Sequence, residues 1–317
     1  MSLYKLKPLF QERIWGGRKL ETEFGYQIPE GPIGECWGIS AHANGESVIE
    51  TGPYAGMKLS ALWAEHKEEL FGDYDLDAFP LLVKILDAAD DLSVQVHPND
   101  EQAMKLEGEP YGKTECWYVL DADPGAELII GHTAQSKEEF IQLIEDGSWD
   151  MLLQKKPVTK GDFVFVESGT IHAIGAGITI LEIQQSSDTT YRVYDFDRRD
   201  PQGNLRDLHI EKAIEVSMIP HEEPKNETEI TKTDFGVEKK LIDRPEFKVW
   251  HHAVETGYHL DVLDRFRLVS IIEGSGSIHI EKTGEKAAVK KGDHFLVPKD
   301  TGRITAEGTM EWMTSES

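Results

Sequence analysis

Cysteine is scarce in this sequence, which holds only Cys36 and Cys116 among 317 residues. The two are far apart along the chain, so a Cys-x-x-Cys motif for metal or redox chemistry is excluded. The disulfide framework of small secreted proteins is excluded as well. We therefore expect a protein of a reducing compartment, which indicates the cytoplasm.

Long apolar runs are also lacking. No stretch of about 18 uncharged apolar residues occurs, and the N-terminal segment MSLYKLKPLF has no apolar core of signal-peptide length. The sequence therefore predicts a chain that neither spans a membrane nor is directed across one.

Positive charge is the third deficit. Lys and Arg together number 33 against 58 Asp and Glu, which gives a formal net charge of −25. This balance opposes binding to nucleic-acid phosphates or to anionic lipid surfaces, so we expect neither partner. It also repels small anions, so an anionic substrate would need a local cluster of Lys and Arg.

What the sequence does have is a globular composition and a strand-like pattern. At 317 residues, with 39% hydrophobic residues, the chain is long enough for about two domains. Short alternating apolar runs between turn residues predict a mainly β core, with strands at 92–97, 115–120, 126–131, 162–166 and 178–183. Helical patterns are fewer and predict helices at 60–70, at 136–147 behind a Ser136/Glu139 capping box, and near 207–217 with Asp207 as the cap.

An internal repeat indicates two related β units. GDFVFVESGTIH at 161–172 and GDHFLVPKDTGR at 292–303 share one layout at an offset of 131 residues, and ECWYVLD and RLVSIIE align Glu115 with Arg267 at an offset of 152. We predict two barrels, each with a hairpin around Gly161 or Gly292, and a helical insertion at 136–147 in the first. The alternative is that Gly-Asp turns before strands recur by chance.

The polar, proline-interrupted segment 219–234 has no periodicity and is typical of a linker. We therefore predict an N-terminal domain at 1–218, a linker at 219–234 and a C-terminal domain at 235–317. The sequence leaves open whether the chain is monomeric or forms a weak homo-oligomer.

Four residues of the first unit form a candidate metal site. Gln95 and His97 lie two apart on one strand and share a face, Glu115 shares a face with Trp117, and His172 follows a tight turn. Two imidazoles, a carboxylate and a weaker amide suit a divalent metal such as zinc. A histidine taken alone is more often structural than a ligand. The combination favours a metal site, because the second unit has Arg267 and Arg303 at the positions of Glu115 and His172, so only the first unit keeps the ligand types.

The motifs carry a resemblance to a known family. The pattern from Gly161 to His172 resembles the second cupin motif, with Glu167 where proline is usual. ERIWGG, GECWGIS, QVHPND, GKTECWYV, SGTIHAIG and SSDTTYRVYDFDR occur in order. Together they resemble type I mannose-6-phosphate isomerases, in a compact form. The likeness covers most of 1–217 and is thinner from 218 onward.

This resemblance implies two cupin-like jelly-roll barrels, the second degenerate and metal-free. It implies interconversion of mannose 6-phosphate and fructose 6-phosphate, and one zinc ion per chain held by Gln95, His97, Glu115 and His172. Arg192 matches the proposed catalytic arginine of the family, and Lys113 matches a lysine of the same pocket. Both are therefore expected to act in catalysis and in substrate binding.

Such a reaction moves a proton between C1 and C2 through an enediol, and the sequence leaves the base unassigned. Two alternatives stay open: another mononuclear cupin enzyme, such as an iron oxygenase, and a sugar-phosphate-binding protein without activity. Arg192, Arg198 and Arg199 could instead pair with nearby acids (Asp188, Asp195, Asp197 and Asp200), and Trp15 and Trp37 could belong to the core rather than to the pocket wall.

Overall fold

The computed structural model describes residues 3–199, 203–261 and 263–317. In the first hundred residues the strands are β1 (Tyr4–Lys7), β2 (Leu9–Gly17), β3 (Ile33–Ile39), β4 (Ala41–His42), β5 (Gly45–Glu46), β6 (Val48–Ile49), β7 (Leu81–Ala88) and β8 (Val94–Val96). They are followed by β9 (Glu115–Ala122), β10 (Glu127–His132), β11 (Leu153–Pro157), β12 (Phe163–Val166), β13 (His172–Ile174), β14 (Ile178–Gln185) and β15 (Tyr191–Tyr194).

The C-terminal part contributes β16 (Glu229–Thr233), β17 (Gly236–Asp243), β18 (Lys248–Val254), β19 (His259–Leu260), β20 (Arg267–Ile280), β21 (Glu285–Lys290), β22 (His294–Val297) and β23 (Ile304–Glu316). The helices of the described residues are α1 (Lys19–Thr22), α2 (Leu59–His66), α3 (Asp100–Glu107), α4 (Lys137–Glu145), α5 (Trp149–Leu152) and α6 (Ile210–Val216), and a π-helical turn, Lys67–Phe71, continues α2. The prediction of a mainly β protein is confirmed. None of these helices combines the length and the apolar character that crossing a membrane requires.

Two β units make up the fold. The first unit consists of a six-stranded sheet, β12-β9-β14-β7-β2-β3, and a five-stranded sheet, β11-β10-β13-β8-β15. The second unit is a ten-stranded sheet that follows the path β16-β17-β18-β23-β20-β22-β1-β6, with β19 on β23 and β21 on β20. Strands β1 and β6 come from the N-terminal part of the chain, so residues before 50 complete the sheet of the second unit.

Four apolar cores of the described residues hold these sheets, one of them within the second unit around Trp312 and Phe295. Trp117, Val119 and Ile130 belong to a core between the two sheets of the first unit. The outer face of the five-stranded sheet is covered by α4, α5 and α6, which place Phe140 and Leu152 against it. The outer face of the six-stranded sheet packs against the second unit in a core that is rich in aromatic side chains. The alternation of residues along β9 therefore buries one face inside the unit and the other between the units.

The strand register bears out the internal repeat. Glu115 pairs with Val166 in the first unit and Arg267 with Val297 in the second, which reproduces the offsets of 152 and 131 residues. The amide of Gly161 donates to the carbonyl of Val119 at 2.8 Å, and the amide of Gly292 donates to that of Ile271 at 2.8 Å. Both glycines have positive φ, 94° and 89°, a conformation that favours glycine.

The predicted hairpins around Gly161 and Gly292 are wrong. Strand β11 pairs with β10 and β12 pairs with β9, so the turn at Gly161 carries the chain from one sheet to the other. Strands β21 and β22 both pair with β20, at different positions along its length. The sequence pattern predicts the Gly-Asp turn correctly, but the strand after the turn pairs with a strand that is distant in the sequence.

The predicted helices are present, with two corrections. Helix α4 begins after Ser136, whose hydroxyl accepts from the amide of Glu139 at 3.2 Å. The Glu139 carboxylate accepts from the amide of Gln135 at 2.8 Å rather than from that of Ser136, so only half of the predicted capping box is formed. Asp207 is not the cap of α6, because the helix begins at Ile210 and the residue before it is His209. The predicted linker, 219–234, contains β16, which pairs with β17.

Sequence analysis missed α3, which fills the interval between His97 and Glu115. Its capping box is complete: the Asn99 side chain accepts from the amide of Gln102 at 2.9 Å, and the Gln102 side chain accepts from the amide of Asn99 at 2.9 Å. The Asn-x-x-Gln spacing was the signal that could have predicted it.

Candidate metal centre and substrate cleft

Both sheets of the first unit contribute to the candidate metal centre. Gln95 on β8 and His172 on β13 are direct partners in the five-stranded sheet, and His97 follows β8 by one residue. Glu115 is the first residue of β9 in the six-stranded sheet. These side chains start from strands on opposite sides of the inner core and point toward each other.

Three of the four predicted ligands, His97, Glu115 and His172, lie together and are almost fully buried. Nε2 of His97 lies 3.6 Å from one carboxylate oxygen of Glu115, and Nε2 of His172 lies 3.4 Å from the other. The ligand atoms of these three residues all lie within 4.8 Å of one another. The Gln95 amide lies 3.3 Å from Nε2 of His172, which places it beside the group as the weaker fourth member.

Backbone carbonyls set the tautomer of both histidines. Nδ1 of His97 donates to the carbonyl of Thr189 at 2.8 Å, and Nδ1 of His172 donates to that of Thr170 at 2.9 Å. With the proton held on Nδ1, each Nε2 keeps its lone pair, and both lone pairs face the Glu115 carboxylate. This is the arrangement in which outer hydrogen bonds orient histidine ligands.

The histidines are neutral at pH 7. Burial lowers the pKa of His97 well below its usual range, and the Lys113 ammonium lowers it further. Burial lowers the pKa of His172 to about 3, again with a contribution from Lys113. Neutral imidazoles and an ionised carboxylate are the forms that bind a divalent cation.

Lys113 is a buried cation at the edge of this group. Its ammonium donates to Glu115 at 2.5 Å and to Nε2 of His97 at 3.0 Å. Burial alone would lower the pKa of Lys113, but attraction to Glu115 and Glu182 outweighs burial and raises it. The side chain is therefore charged and can donate hydrogen bonds to an anion.

One observation tests whether these residues fit a metal. The Oε1 atom of Glu115 is buried and has no hydrogen-bond partner among the described residues. A buried carboxylate oxygen without a partner is costly. A cation among the three ligand atoms would satisfy it, so the donor set fits a divalent metal.

Arg192 lines the same cleft as Gln95 and His172. Its Nε donates to the Ser93 hydroxyl at 3.3 Å and its Nη1 donates to the carbonyl of Asp207 at 2.7 Å. The alternative of ordinary ion pairing holds for its neighbour: Arg198 lies 2.6 Å from Asp195, which Arg206 also contacts. Arg192 pairs with no acid among the described residues, and Asp200 lies outside them.

The cleft holds further charged residues that sequence analysis missed. Lys84 and Glu182 are cross-strand partners and form an ion pair at 3.3 Å, with both side chains only 4% exposed. Glu182 also accepts from Nε1 of Trp117 at 3.1 Å. Both are charged residues inside strands that are buried along their whole length, and that was the signal available in the sequence.

A second ion pair, Arg13 with Glu35, also lines the cleft. The Arg13 guanidinium donates through Nε and Nη2 to the two carboxylate oxygens of Glu35, both at 3.0 Å. The charged and polar residues that line the cleft are Arg13, Glu35, Lys84, Ser93, Gln95, Lys113, His172, Glu182, Asp188, Thr190, Arg192 and Arg206. Five of them are Lys or Arg against three acids, which supplies the local positive charge that an anionic substrate requires in a chain of net charge −25.

The contacts of Trp15, Trp37 and Cys116 show whether each side chain lines the cleft or belongs to the core. Trp15 is buried and lines the cleft, whereas Trp37 is fully buried and donates from Nε1 to Glu35 at 2.7 Å. Cys116 lies in the core between the two units, on the face of β9 opposite Trp117, and burial raises the pKa of its thiol. It packs, as its position beside Glu115 predicted.

Comparison with known proteins covers nearly the whole chain. Residues 3–134 match the catalytic domain of type I phosphomannose isomerases, and residues 231–317 match the cupin domain of mannose-6-phosphate isomerases. The two matched regions contain His97, Glu115 and the second unit.

Individual relatives agree with the family profiles. The mannose-6-phosphate isomerase of Streptococcus mutans is 50% identical over 98% of each chain, and ManA of Bacillus subtilis is 48% identical over 98% of this chain and 97% of its own. The crystal structure of a mannose 6-phosphate isomerase from Bacillus subtilis superposes over the full length of both chains with a TM-score of 0.97 and 41% identity. The chain belongs to the type I phosphomannose isomerase family.

Proposed function

We propose that this chain interconverts mannose 6-phosphate and fructose 6-phosphate in the cleft of the first unit. The observation that carries the proposal is the convergence of two Nε2 lone pairs and one buried carboxylate on a single point, within a cleft that is rich in Lys and Arg. The activity of the relatives named above supports the substrate and the reaction.

The metal we propose is zinc, one ion per chain, held by His97, Glu115 and His172 with Gln95 as the fourth ligand. Nitrogen and carboxylate ligands in a set of three or four suit zinc. A bound zinc ion would act as a Lewis acid that stabilises negative charge on the sugar oxygens during enediol formation.

Lys113 and Arg192 supply the protein's own positive charge. The ammonium of Lys113 is held charged by Glu115 and Glu182, so it donates to an oxygen of the substrate. Two donors of Arg192 are fixed on Ser93 and Asp207, while its Nη2 has no partner among the described residues. That free edge is available for a phosphate or enediolate oxygen, which an Arg fork binds well.

We also propose the division into a catalytic domain, 1–218, a linker, 219–234, and a metal-free degenerate cupin domain, 235–317, with β1 and β6 of the first part and β16 of the linker added to the sheet of the last. The position that corresponds to Glu115 holds Arg267, whose Nη2 lies 2.8 Å from Glu316. A guanidinium at this position opposes cation binding there. The cytoplasmic location is a proposal as well, supported by the two free, buried thiols of Cys36 and Cys116.

The test is NMR of mannose 6-phosphate with the purified protein in deuterated water, before chelation, after it and after zinc is restored. We expect fructose 6-phosphate to form with deuterium at C2 of the recovered aldose, to stop on chelation and to resume with zinc. Turnover that requires oxygen or metal redox would favour an iron oxygenase instead. Saturable sugar-phosphate binding without exchange, at one metal per chain, would favour a binding protein.

A further inference from the structure

Strand β15, which carries Arg192, is the edge strand of the five-stranded sheet. On one side it pairs with β8, where Arg192 lies opposite Gln95. Within residues 3–199, 203–261 and 263–317, no other strand of the sheet lies on the outer side. An edge strand leaves backbone N–H and C=O groups without strand partners, so its position depends on whatever else bonds to them.

The segment just before α6 makes those bonds. The amide of Arg192 donates to Nδ1 of His209 at 3.0 Å, and the amide of His209 donates to the carbonyl of Arg192 at 2.8 Å. Two residues earlier, the carbonyl of Asp207 accepts from Nη1 of Arg192 at 2.7 Å. Residues 207–209 therefore hold both backbone polar groups of Arg192 and one end of its guanidinium.

The bond to Nδ1 imposes a protonation state on His209. An imidazole nitrogen accepts only through its lone pair, so Nδ1 must be free of a proton and the ring neutral, with its proton on Nε2. Protonation would place an N–H against the amide of Arg192 and break the bond.

The charged groups around His209 come from four elements. Arg192 on β15 and Lys212 on α6 repel a positive charge on the ring, while Asp207 in the preceding segment and Glu107 at the end of α3 attract one. The ring of Tyr191 lies edge-on, with centroids 6.3 Å apart. Burial, followed by Arg192, dominates and lowers the pKa of His209, which favours the neutral ring.

We propose that His209 is a positioning residue for Arg192. As a neutral acceptor it bonds to the backbone of the edge strand β15 and fixes the position of the Arg192 side chain in the cleft. The inference rests on the proposed role of Arg192 in the reaction. His209 itself is not among the residues that line the cleft.

The experiment compares His209→Ala, which removes the acceptor, with His209→Asn, whose amide oxygen can accept from the Arg192 amide but does not titrate. We expect His209→Ala to lower kcat/KM about 100-fold, the effect of a displacement of about 1 Å in a catalytic group. Metal content should be unchanged. His209→Asn should stay within about threefold of the parent and should lose less activity than the parent between pH 7 and pH 5.

Arg192→Ala supplies the background that separates positioning from a structural role. If His209 acts through Arg192, adding His209→Ala to Arg192→Ala should change kcat/KM by less than about twofold. Multiplicative effects, an Asn variant as poor as the Ala variant, or parental activity in His209→Ala would each overturn the inference while leaving the isomerase proposal intact. Parental activity in Arg192→Ala would overturn the inference together with the proposed role of Arg192.

Discussion

The two β units share a frame and differ in what lies inside it. In both, a Gly-Asp turn precedes a short strand, and the Asp side chain accepts from the amide three residues earlier, at 2.8 Å for Asp162 and 3.0 Å for Asp293. The strand after the turn pairs in the same register in both units. Inside, Glu115 faces two histidines, whereas its counterpart Arg267 pairs with Glu316.

The difference teaches which parts of the sequence are required by the fold and which by the chemistry. Turn glycines and ladder positions are set by backbone geometry, so they recur wherever the unit recurs. A ligand set needs every member at once, and replacing Glu115 by a cation removes the attraction for a metal completely. The comparison therefore supports the proposed metal site in the first unit, and exchanges in each unit test it.

The largest effect is expected from His172→Ala. It removes one of three converging ligands, so we expect the metal content to fall to near zero and kcat/KM to fall by more than the roughly 10- to 100-fold typical of losing an outer hydrogen-bond partner of a metal ligand. Metal analysis of the purified protein and the isomerase assay measure both quantities.

The matched controls lie in the second unit. His279→Ala and His294→Ala should keep the parental metal content, because His279 lies on β20 and His294 bonds to the Ser270 hydroxyl at 2.8 Å, outside the ligand group. Loss of metal from either control would show that the site has been placed in the wrong unit.

Much of this comparison could be predicted from local pattern. Alternation along 115–120 placed Glu115 and Trp117 on one face and Cys116 on the other, and the cores show that division. Two fixed offsets identified the repeat, and the turn before His172 placed its side chain at the start of a strand. Each of these features depends on neighbours in sequence, so the sequence expresses it directly.

Features that depend on distant contacts could not be predicted. Asp207 has the composition of a helix cap, but its carbonyl bonds to Arg192 and α6 begins later, after His209. Lys84 and Glu182 are charged residues within buried strands, and their pairing exists only once β7 and β14 are neighbours. A turn signal likewise says nothing about which sheet receives the next strand.

The next effect in size concerns stability rather than activity. Arg267→Met removes the ion-pair partner of Glu316. The side chains of Arg267 and Glu316 are largely buried, at 14% and 9% exposure. We expect the free energy of unfolding to fall by about 3 to 5 kcal/mol, because a buried carboxylate is left unpaired. Activity at 25 °C should change by less than twofold, since the pair lies in the second unit. Urea denaturation and the isomerase assay give the two values.

Removing both charges tests the reason for that loss. In Arg267→Met/Glu316→Leu no buried charge remains, so most of the lost stability should return. A double variant that is less stable than the single one would mean that the pair stabilises the second unit by more than mutual neutralisation.

The smallest effect uses a property that the two units share. His294 in the second unit is fully buried, and burial lowers its pKa from 6.5 to about 3, as it does for His172 in the first. The unfolded protein therefore binds a proton at this ring below about pH 6.5, whereas the folded protein binds it only below about pH 3. The free energy of unfolding consequently falls as the pH falls from about 6.5 to about 3. One such group makes the free energy of unfolding about 2 kcal/mol lower at pH 5 than at pH 7. The free energy of unfolding of His294→Gln should fall by about that much less than that of the parent over this interval, whatever its value at pH 7. Urea denaturation at the two pH values measures the difference.

His172→Gln, measured after chelation, should show a difference of the same sign. Parallel losses in the parent and His294→Gln would mean that the His294 ring is protonated in the folded protein, and the two units would then differ in their acid response as well as in their charge.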